Sequence, residues 1–198
     1  DVDQTELHTS NPAEDLIDLA EVMIEAAIGV MPVPLGVASG ILVDGRVYNI
    51  PMAVEEPSVV AAATYAGRLV SREGEGFHTS SSGAVMTAQI AIDEAKAGAI
   101  DRIRAAERSL HRELSEILGP MTRRGGGYRG IDVSELPESG LLVVYLHVDT
   151  RDAMGANIIN TAAEALRTPL ERLSGGTVLM AILTNSAPRR RSSATFSI

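Results

Sequence analysis

A chain of 198 residues with a formal net charge of −9 has room for one large domain or two small ones. That charge argues against nucleic acid or an anionic membrane as the main partner. Hydrophobic residues make up 45% of the chain but aromatic ones only 3%, and there is no cysteine. The core must therefore be aliphatic, and disulfides, thiolate metal sites and cysteine nucleophiles are excluded, in keeping with a cytoplasmic protein.

The chain opens on Asp-Val-Asp without an apolar leader, which reads as a processed, engineered or fragmentary start. Ser10-Asn-Pro-Ala-Glu14 is a helix start, with a polar cap and proline in the first turn. Leu16, Leu19, Ala20, Met23 and Ala27 keep helical spacing, and Gly29 supplies the stop. The uncharged run from Ala26 to Val43 is long enough to span a bilayer. Pro32, Pro34, Gly29, Gly36 and Gly40 interrupt it, so it reads as buried loop and strand. Asp44-Gly45 between the apolar runs Val37–Val43 and Val47–Met52 predicts a type I′ hairpin, because both turn positions require positive φ.

The second hairpin strand leads into Pro51-Met-Ala-Val-Glu-Glu-Pro-Ser58. Proline is tolerated at the first helical position, so with Pro57 there, Glu56 falls at the N-cap of a helix expected over Ser58–Val70. The run Val59, Val60, Ala61, Ala62, Ala63 predicts that this helix is buried nearly all round. A glutamate pair at the mouth of such a helix needs a task or a partner; the plain alternative is two capping glutamates in solvent. The helix dipole should lower the pKa of Glu56, whereas burial and the neighbouring Glu55 should raise it.

Beyond the loop Glu73–Phe77 and Thr79-Ser-Ser-Ser82, a domain boundary is expected near Gly83. Val85–Ile92 alternates as a strand, with Met86, Ala88, Ile90 and Ile92 on one face. From Asp93 the pattern becomes helical, with Ile100, Ile103, Leu110, Leu114 and Ile117 as a stripe. Strands follow over Tyr128–Val133 and Leu141–Val148, joined by Pro137-Glu-Ser-Gly140. A helix over Ala153–Leu173, bent at Pro169, precedes a last strand at Thr177–Leu183. The order β-α-β-β-α-β is the ferredoxin-like pattern. Thr184–Ile198, with Arg189, Arg190 and Arg191, reads as a solvated connector.

Asp152-Ala-Met-Gly-Ala-Asn157 joins a strand end to a helix start, where small residues and unpaired N–H groups suit a pyrophosphate. Many helix starts look alike, so the signal is weak by itself. No Gly-x-Gly-x-x-Gly is present, and a Rossmann domain is not supported. Arg123-Arg-Gly-Gly-Gly127 offers close backbone approach and two guanidinium groups for a phosphate; a flexible basic turn is the alternative.

Four motifs in register carry a resemblance. Glu25-Ala-Ala-Ile-Gly29 with Pro34-Leu-Gly-Val-Ala38, then Pro51–Ser58, Phe77-His-Thr-Ser-Ser-Ser82 and Arg151-Asp-Ala-Met-Gly-Ala-Asn157 closely resemble 3-hydroxy-3-methylglutaryl-coenzyme A reductase, nearest the class II bacterial/archaeal branch. Two departures stand out: the family usually has Asn where this chain has Ala26, and it continues well beyond Ile198.

The resemblance implies an α+β architecture. Residues 1–83 would begin a large α/β substrate-binding and dimerisation domain, and residues 84–183 would form a ferredoxin-like NAD(P)-binding domain inserted into it. Residues 184–198 would return to the large domain. It further implies reduction of hydroxymethylglutaryl-CoA to mevalonate and free CoA by two hydride transfers from NADPH or NADH, with no metal; Arg123 and Arg124, with no acid between Leu118 and Gly125, favour NADPH. Glu56 matches the catalytic glutamate and Ser58 a substrate-contacting serine. Asp152, Met154, Gly155 and Asn157 belong to the dinucleotide site, with Asn185 a lesser candidate; Arg123 and Arg124 are cofactor-contact candidates on their own chemistry rather than by the resemblance.

The implied partners are HMG-CoA, mevalonate, CoA, the missing C-terminal half and further copies in a homo-oligomer built from dimers. The family's lysine, aspartate and thiolate-protonating histidine lie beyond Ile198, so the 198-residue chain alone is expected to be inactive. None of His8, His78, His111 and His147 matches the family's thiolate-protonating histidine, and all four read as structural or surface residues. A non-catalytic nucleotide-binding fragment is the alternative from another class. An RNA-binding ferredoxin-like domain lacks the aromatic platforms it would need.

Overall fold

The computed structural model describes residues 12–198, with side chains from residue 16 onward. The caps expected at Ser10 and Asn11, and His8, lie outside the described residues. The chain forms two compact units: one ends at His78 and recovers Thr195–Ile198, and the other is Thr79–Ala194.

In the first unit, α1 (Pro12–Met23) is followed by an irregular stretch and the hairpin β1 (Leu35–Val43) and β2 (Arg46–Ala53). Leu42 pairs with Val47 and Val43 with Arg46, leaving Asp44 (φ 48°) and Gly45 (φ 76°) as the two-residue turn. Both φ values are positive, as the I′ turn requires. The helix α1 stops at Met23, six residues before Gly29. Ala26 enters the left-handed region at φ 53°, a conformation that Asn tolerates better than Ala.

The helix α2 (Ser58–Glu73) packs on β1. Gly36 and Gly67 let the two elements approach: a Cβ at Gly36 would lie 3.0 Å from Val60 Cγ2, and one at Gly67 would overlap Ile41 Cδ1. Only Gly67 and Val70 of α2 are buried, so the expected all-round burial is wrong. Periodicity describes what a helix can bury, and here only the β1 side is covered. The loop half of the run from Ala26 is exposed as well, with Ile28, Val30, Met31 and Val33 open to solvent.

The second unit is built on β4 (Val85–Asp93), β5 (Gly127–Leu136), β6 (Leu141–Asp149) and β7 (Thr177–Leu183), in the order β5-β6-β4-β7. Every neighbouring pair is antiparallel. Alternation sends Ala88, Ile90, Ile92, Leu142, Val144, Leu146 and Val148 to one face. There they join Ile103, Leu110, Leu114, Ile159, Leu166 and Leu170 in a single core.

The helical regions are more broken than expected. Instead of one helix from Asp93, residues 94–98 form a loop, with Glu94 and Gly98 at positive φ. Three short helices then follow: α3 (Ala99–Ala105), α4 (Glu107–Glu113) and α5 (Gly119–Arg123). The expected helix over Ala153–Leu173 is two, α6 (Ala156–Ala165) and α7 (Arg167–Ser174). The break falls at Leu166, next to Ala165, whose carbonyl is the one that the ring of Pro169 crowds and deprives of its N–H partner.

The segment after β7 is not merely a connector. It forms β8 (Ser192–Thr195), which pairs with β3 (His78–Ser81). Among the described residues, no helix is long and apolar enough to cross a membrane.

Candidate functional site

Glu56 stands at the start of α2. The assigned helix begins at Ser58, but Pro57 already has helical dihedrals (φ −62°, ψ −29°). The Glu56 carbonyl accepts the Val59 N–H at 3.4 Å, and its carboxylate accepts the Ser58 N–H at 3.2 Å and the Ser58 hydroxyl. Glu56 therefore caps its helix, and the Ser58 hydroxyl serves the glutamate rather than the backbone. These bonds, the hydroxyl's first and the N–H second, hold the carboxyl below the usual carboxylate range, because the slight burial that would raise it is outweighed. The opposed influences on this residue fall on the low side.

The remaining candidates gather in the second unit. The sheet brings the start of β5 and the ends of β6 and β7 to one end. The Gly125–Gly127 turn, the Asp152–Asn157 segment and Asn185 all adjoin that end. Gly155, at φ 78°, precedes α6, which has no side-chain cap. The first-turn N–H groups of α6 are thus left for another acceptor. Met154 is exposed, as are Asp152, Asn157 and Asn185. Arg123 closes α5 and Arg124 follows it. Among the described residues, neither guanidinium has a hydrogen bond or ion pair within the chain.

Asp149, Arg129 and Arg151 complete this end of the sheet; sequence reasoning passed over the first two and took Arg151 only as the first residue of a motif. Asp149, the last residue of β6, accepts the Arg129 guanidinium at 2.8 Å and the Arg151 N–H at 3.0 Å. Burial raises the Asp149 carboxyl. The Arg151 N–H, the Arg129 hydrogen bond and the charges of Arg129 and Arg151 outweigh it and hold the carboxyl below its ordinary value. Arg129 also reaches the Gly125 carbonyl at 3.1 Å, tying the glycine turn to β6. Arg151 adopts φ 52°, a left-handed conformation that its N–H bond to Asp149 helps to hold. Its guanidinium lies 3.6 Å from where a Cβ on Gly125 would be. Gly126 is close-packed, since a Cβ there would run into the Asp149 carbonyl.

Ser81, Gly83, Ala84, Arg151, Asp152, Arg190 and Ser192 line a cleft of about 520 Å³ here. The serine hydroxyls and the Arg151 and Arg190 guanidinium groups of the cleft, with the N–H groups that open α6 a few residues beyond Asp152, are donors suited to a phosphate-bearing nucleotide.

Residues 2–198 match the family described as hydroxymethylglutaryl-coenzyme A reductase. The chain belongs to this family. It is 40% identical over 179 residues to the 3-hydroxy-3-methylglutaryl-coenzyme A reductase of Archaeoglobus fulgidus, a match covering 88% of this chain and 41% of that protein. The Ganoderma lucidum reductase is 34% identical over 156 residues, covering 74% of this chain and 12% of its own. The class II reductase from Streptococcus pneumoniae, solved bound to NADPH in open conformations, superposes with a TM-score of 0.85 at 36% identity. That match covers 91% of this chain and 49% of the pneumococcal one. The chain thus spans less than half the length of these reductases.

Within this reductase-family chain, the Ser58 hydroxyl gives a direct prediction. Ser58→Ala removes the larger of the two bonds that hold the Glu56 carboxyl down, so its pKa should rise toward the ordinary glutamate value. Carboxyl-carbon NMR titration measures this. A group depressed on folding stabilises the fold above its unfolded pKa, and that contribution disappears as pH falls through the folded value. The variant should therefore lose pH dependence on the acid side only, at pH values around and below 4.5, the ordinary glutamate value.

Proposed function

We propose that the protein carrying this chain is a hydroxymethylglutaryl-CoA reductase. It would convert the acyl-CoA thioester to mevalonate and free CoA by two successive hydride transfers, with the second unit as a ferredoxin-like cofactor domain. The observation that carries this reading is the donor set at one end of the second unit's sheet, inside a chain of this family. The antiparallel order β5-β6-β4-β7 with helices in the crossovers supports the ferredoxin-like description. The exposed apolar residues Leu35, Val37, Val47, Tyr48 and Ile50 of the hairpin support a covering partner, in keeping with the rest of the reductase and a homo-oligomer built from dimers.

NADPH, when bound, supplies the hydride. This chain's own residues supply part of the remaining machinery. The α6 N-terminus, Asp152, Met154, Gly155 and Asn157 receive the dinucleotide, and Asn185 approaches from the end of β7. Ser58 contacts the acyl-CoA, and Glu56 holds a proton at the thioester carbonyl oxygen while its carbon is reduced. Glu56 is ionised at neutral pH in the uncovered site. Desolvation by bound substrate raises a carboxyl, the direction that an acid at this position needs.

The cofactor is NADPH in preference to NADH. A carboxylate at the adenosine ribose would accept a 2′-hydroxyl and repel a 2′-phosphate, whereas arginine favours the phosphate. No acid lies between Leu118 and Gly125, and Arg123 and Arg124 are free to meet the phosphate. One charge-assisted hydrogen bond contributes about 1.5–3 kcal/mol, so even the low end gives roughly tenfold preference. Comparing kcat/KM for both cofactors in the full enzyme, with and without Arg123→Ala and Arg124→Ala, tests the reading. The substitutions should erode the preference for NADPH. A preference for NADH that neither substitution alters would contradict it.

A further inference from the structure

The alternation that sends Val144, Leu146 and Val148 into the core turns Tyr145 and His147 of β6 to the opposite face of the sheet. Residues Thr184–Arg189, leaving β7, come back over that face. With Thr87, Gln89, Asp132, Tyr145 and His147 they enclose a cavity of about 440 Å³. A continuous hydrogen-bond chain runs along its floor. Thr87 Oγ1 is 2.9 Å from His147 Nδ1, and His147 Nε2 is 2.9 Å from Asp132 Oδ2. The Arg189 guanidinium donates to the same Asp132 oxygen at 2.8 Å.

The two ends of this chain differ in kind. Thr87 and His147 are only 4% and 5% exposed, while the Asp132 and Arg189 side chains are 61% and 46% exposed. An exposed ion pair alone does little to hold a chain segment, because both side chains must be ordered to form it. Here the buried imidazole orders Asp132 beforehand. Burial outweighs the pull of Asp132 and keeps His147 below its ordinary pKa, so the neutral ring prevails at physiological pH. Its Nε2–H then donates to the carboxylate, and Nδ1 accepts the Thr87 hydroxyl.

The loop held in this way carries Asn185. Upstream, the Thr184 N–H donates to the Thr87 carbonyl at 3.0 Å. Inside the loop, the Ser186 N–H donates to Thr184 Oγ1 at 3.1 Å. Downstream, Arg189 is fixed by Asp132, and the Arg191 N–H donates to Ser82 Oγ at 2.8 Å. Asn185 therefore sits on a short span tethered on both sides, by the Thr184–Thr87 backbone bond upstream and by Asp132 and Ser82 downstream; the Asp132 tether is the one that leads back to His147.

We propose that His147 is a positioning residue: through Asp132 and Arg189 it fixes the 184–189 loop and so presents Asn185 to the cofactor. This rests on the reading of Asn185 as a cofactor contact. Two substitutions separate positioning from simple core loss. In His147→Gln the side-chain amide can replace Nε2 and keep the bond to Asp132. In His147→Asn the shorter amide replaces only Nδ1 and keeps the bond to Thr87.

The experiment measures amide hydrogen exchange over residues 185–190 without cofactor, and steady-state kinetics with NADPH, in the full enzyme. His147→Asn and Asp132→Asn should speed exchange in this loop and raise KM for NADPH by up to about tenfold, the effect of one lost hydrogen bond. The kcat should stay within roughly twofold, and His147→Gln should restore both readouts. Unchanged exchange in His147→Asn and Asp132→Asn overturns the proposal. Faster exchange with an unchanged KM also overturns it, because the loop would then be held for a purpose other than the cofactor. That second outcome leaves the cofactor reading of Gly155 and the arginines intact.

Discussion

Glu56→Gln is expected to lower kcat of the full enzyme by about two to four orders of magnitude, the usual contribution of a positioned acid. The KM for the acyl-CoA should change little. The amide is nearly isosteric and still accepts the Ser58 N–H, so α2 keeps its start and the fold is not at issue. What disappears is a group able to deliver a proton to the carbonyl oxygen as carbon is reduced. Glu55→Gln is the control. Glu55 makes no hydrogen bond or ion pair among the described residues, and it lacks the Ser58 bonds that orient its neighbour. Its substitution should cost far less. Equal losses in the two variants would remove the distinction on which the assignment rests.

Gly155→Ala is expected to disable the cofactor end of the second unit. Glycine is needed there for two separate reasons. Its φ of 78° lies in the left-handed region, where alanine costs about 1–2 kcal/mol. A Cβ would also lie 2.5 Å from Thr150 Cγ2, 2.9 Å from Thr150 Cβ and 3.0 Å from Met86 Sδ. Crowding of that sort costs about 1–3 kcal/mol. The backbone must shift to relieve it, and the segment that shifts is the one presenting Asp152, Met154 and the α6 N–H groups. Urea unfolding should show the stability loss, and NADPH fluorescence titration should show Kd raised by about tenfold or more. A destabilised variant with unchanged Kd would mean that the α6 N-terminus does not hold the dinucleotide.

Local chemistry made much of this fold legible in the sequence. Asp44-Gly45 determined the hairpin turn because few residue pairs accept two positive φ values. Period-two alternation placed Ala88, Ile90 and Ile92 on the core face of β4. The signals that failed were those that depend on distant surfaces. Val59–Ala63 look like a buried helix, yet burial needs a covering element, and among the described elements β1 is the one that packs extensively on α2. The left-handed residues Glu94 and Gly98 interrupt the expected helix after β4. The crowding effect of Pro169 falls several residues before the proline itself.

The site shows the same division. Asp152–Asn157 stood out because its small residues and helix start are contiguous. Arg129 and Asp149 did not, since they meet only through the register of β5 on β6, across a bulge between Tyr128 and Gly130. Arg151 was legible as the first residue of its motif, though its left-handed backbone and its bond to Asp149 were not. His147 carried no sequence signal at all: its partners Thr87, Asp132 and Arg189 come from three different parts of the chain.

The most direct test of this account is to count NADPH oxidised per CoA thiol released by the full enzyme acting on hydroxymethylglutaryl-CoA. Reducing a thioester to a primary alcohol requires two hydrides and releases one thiol. Two NADPH should therefore be oxidised for each CoA released, with mevalonate formed in equal amount to the thiol. Thiol release without matching cofactor oxidation, or one NADPH per thiol, would contradict it.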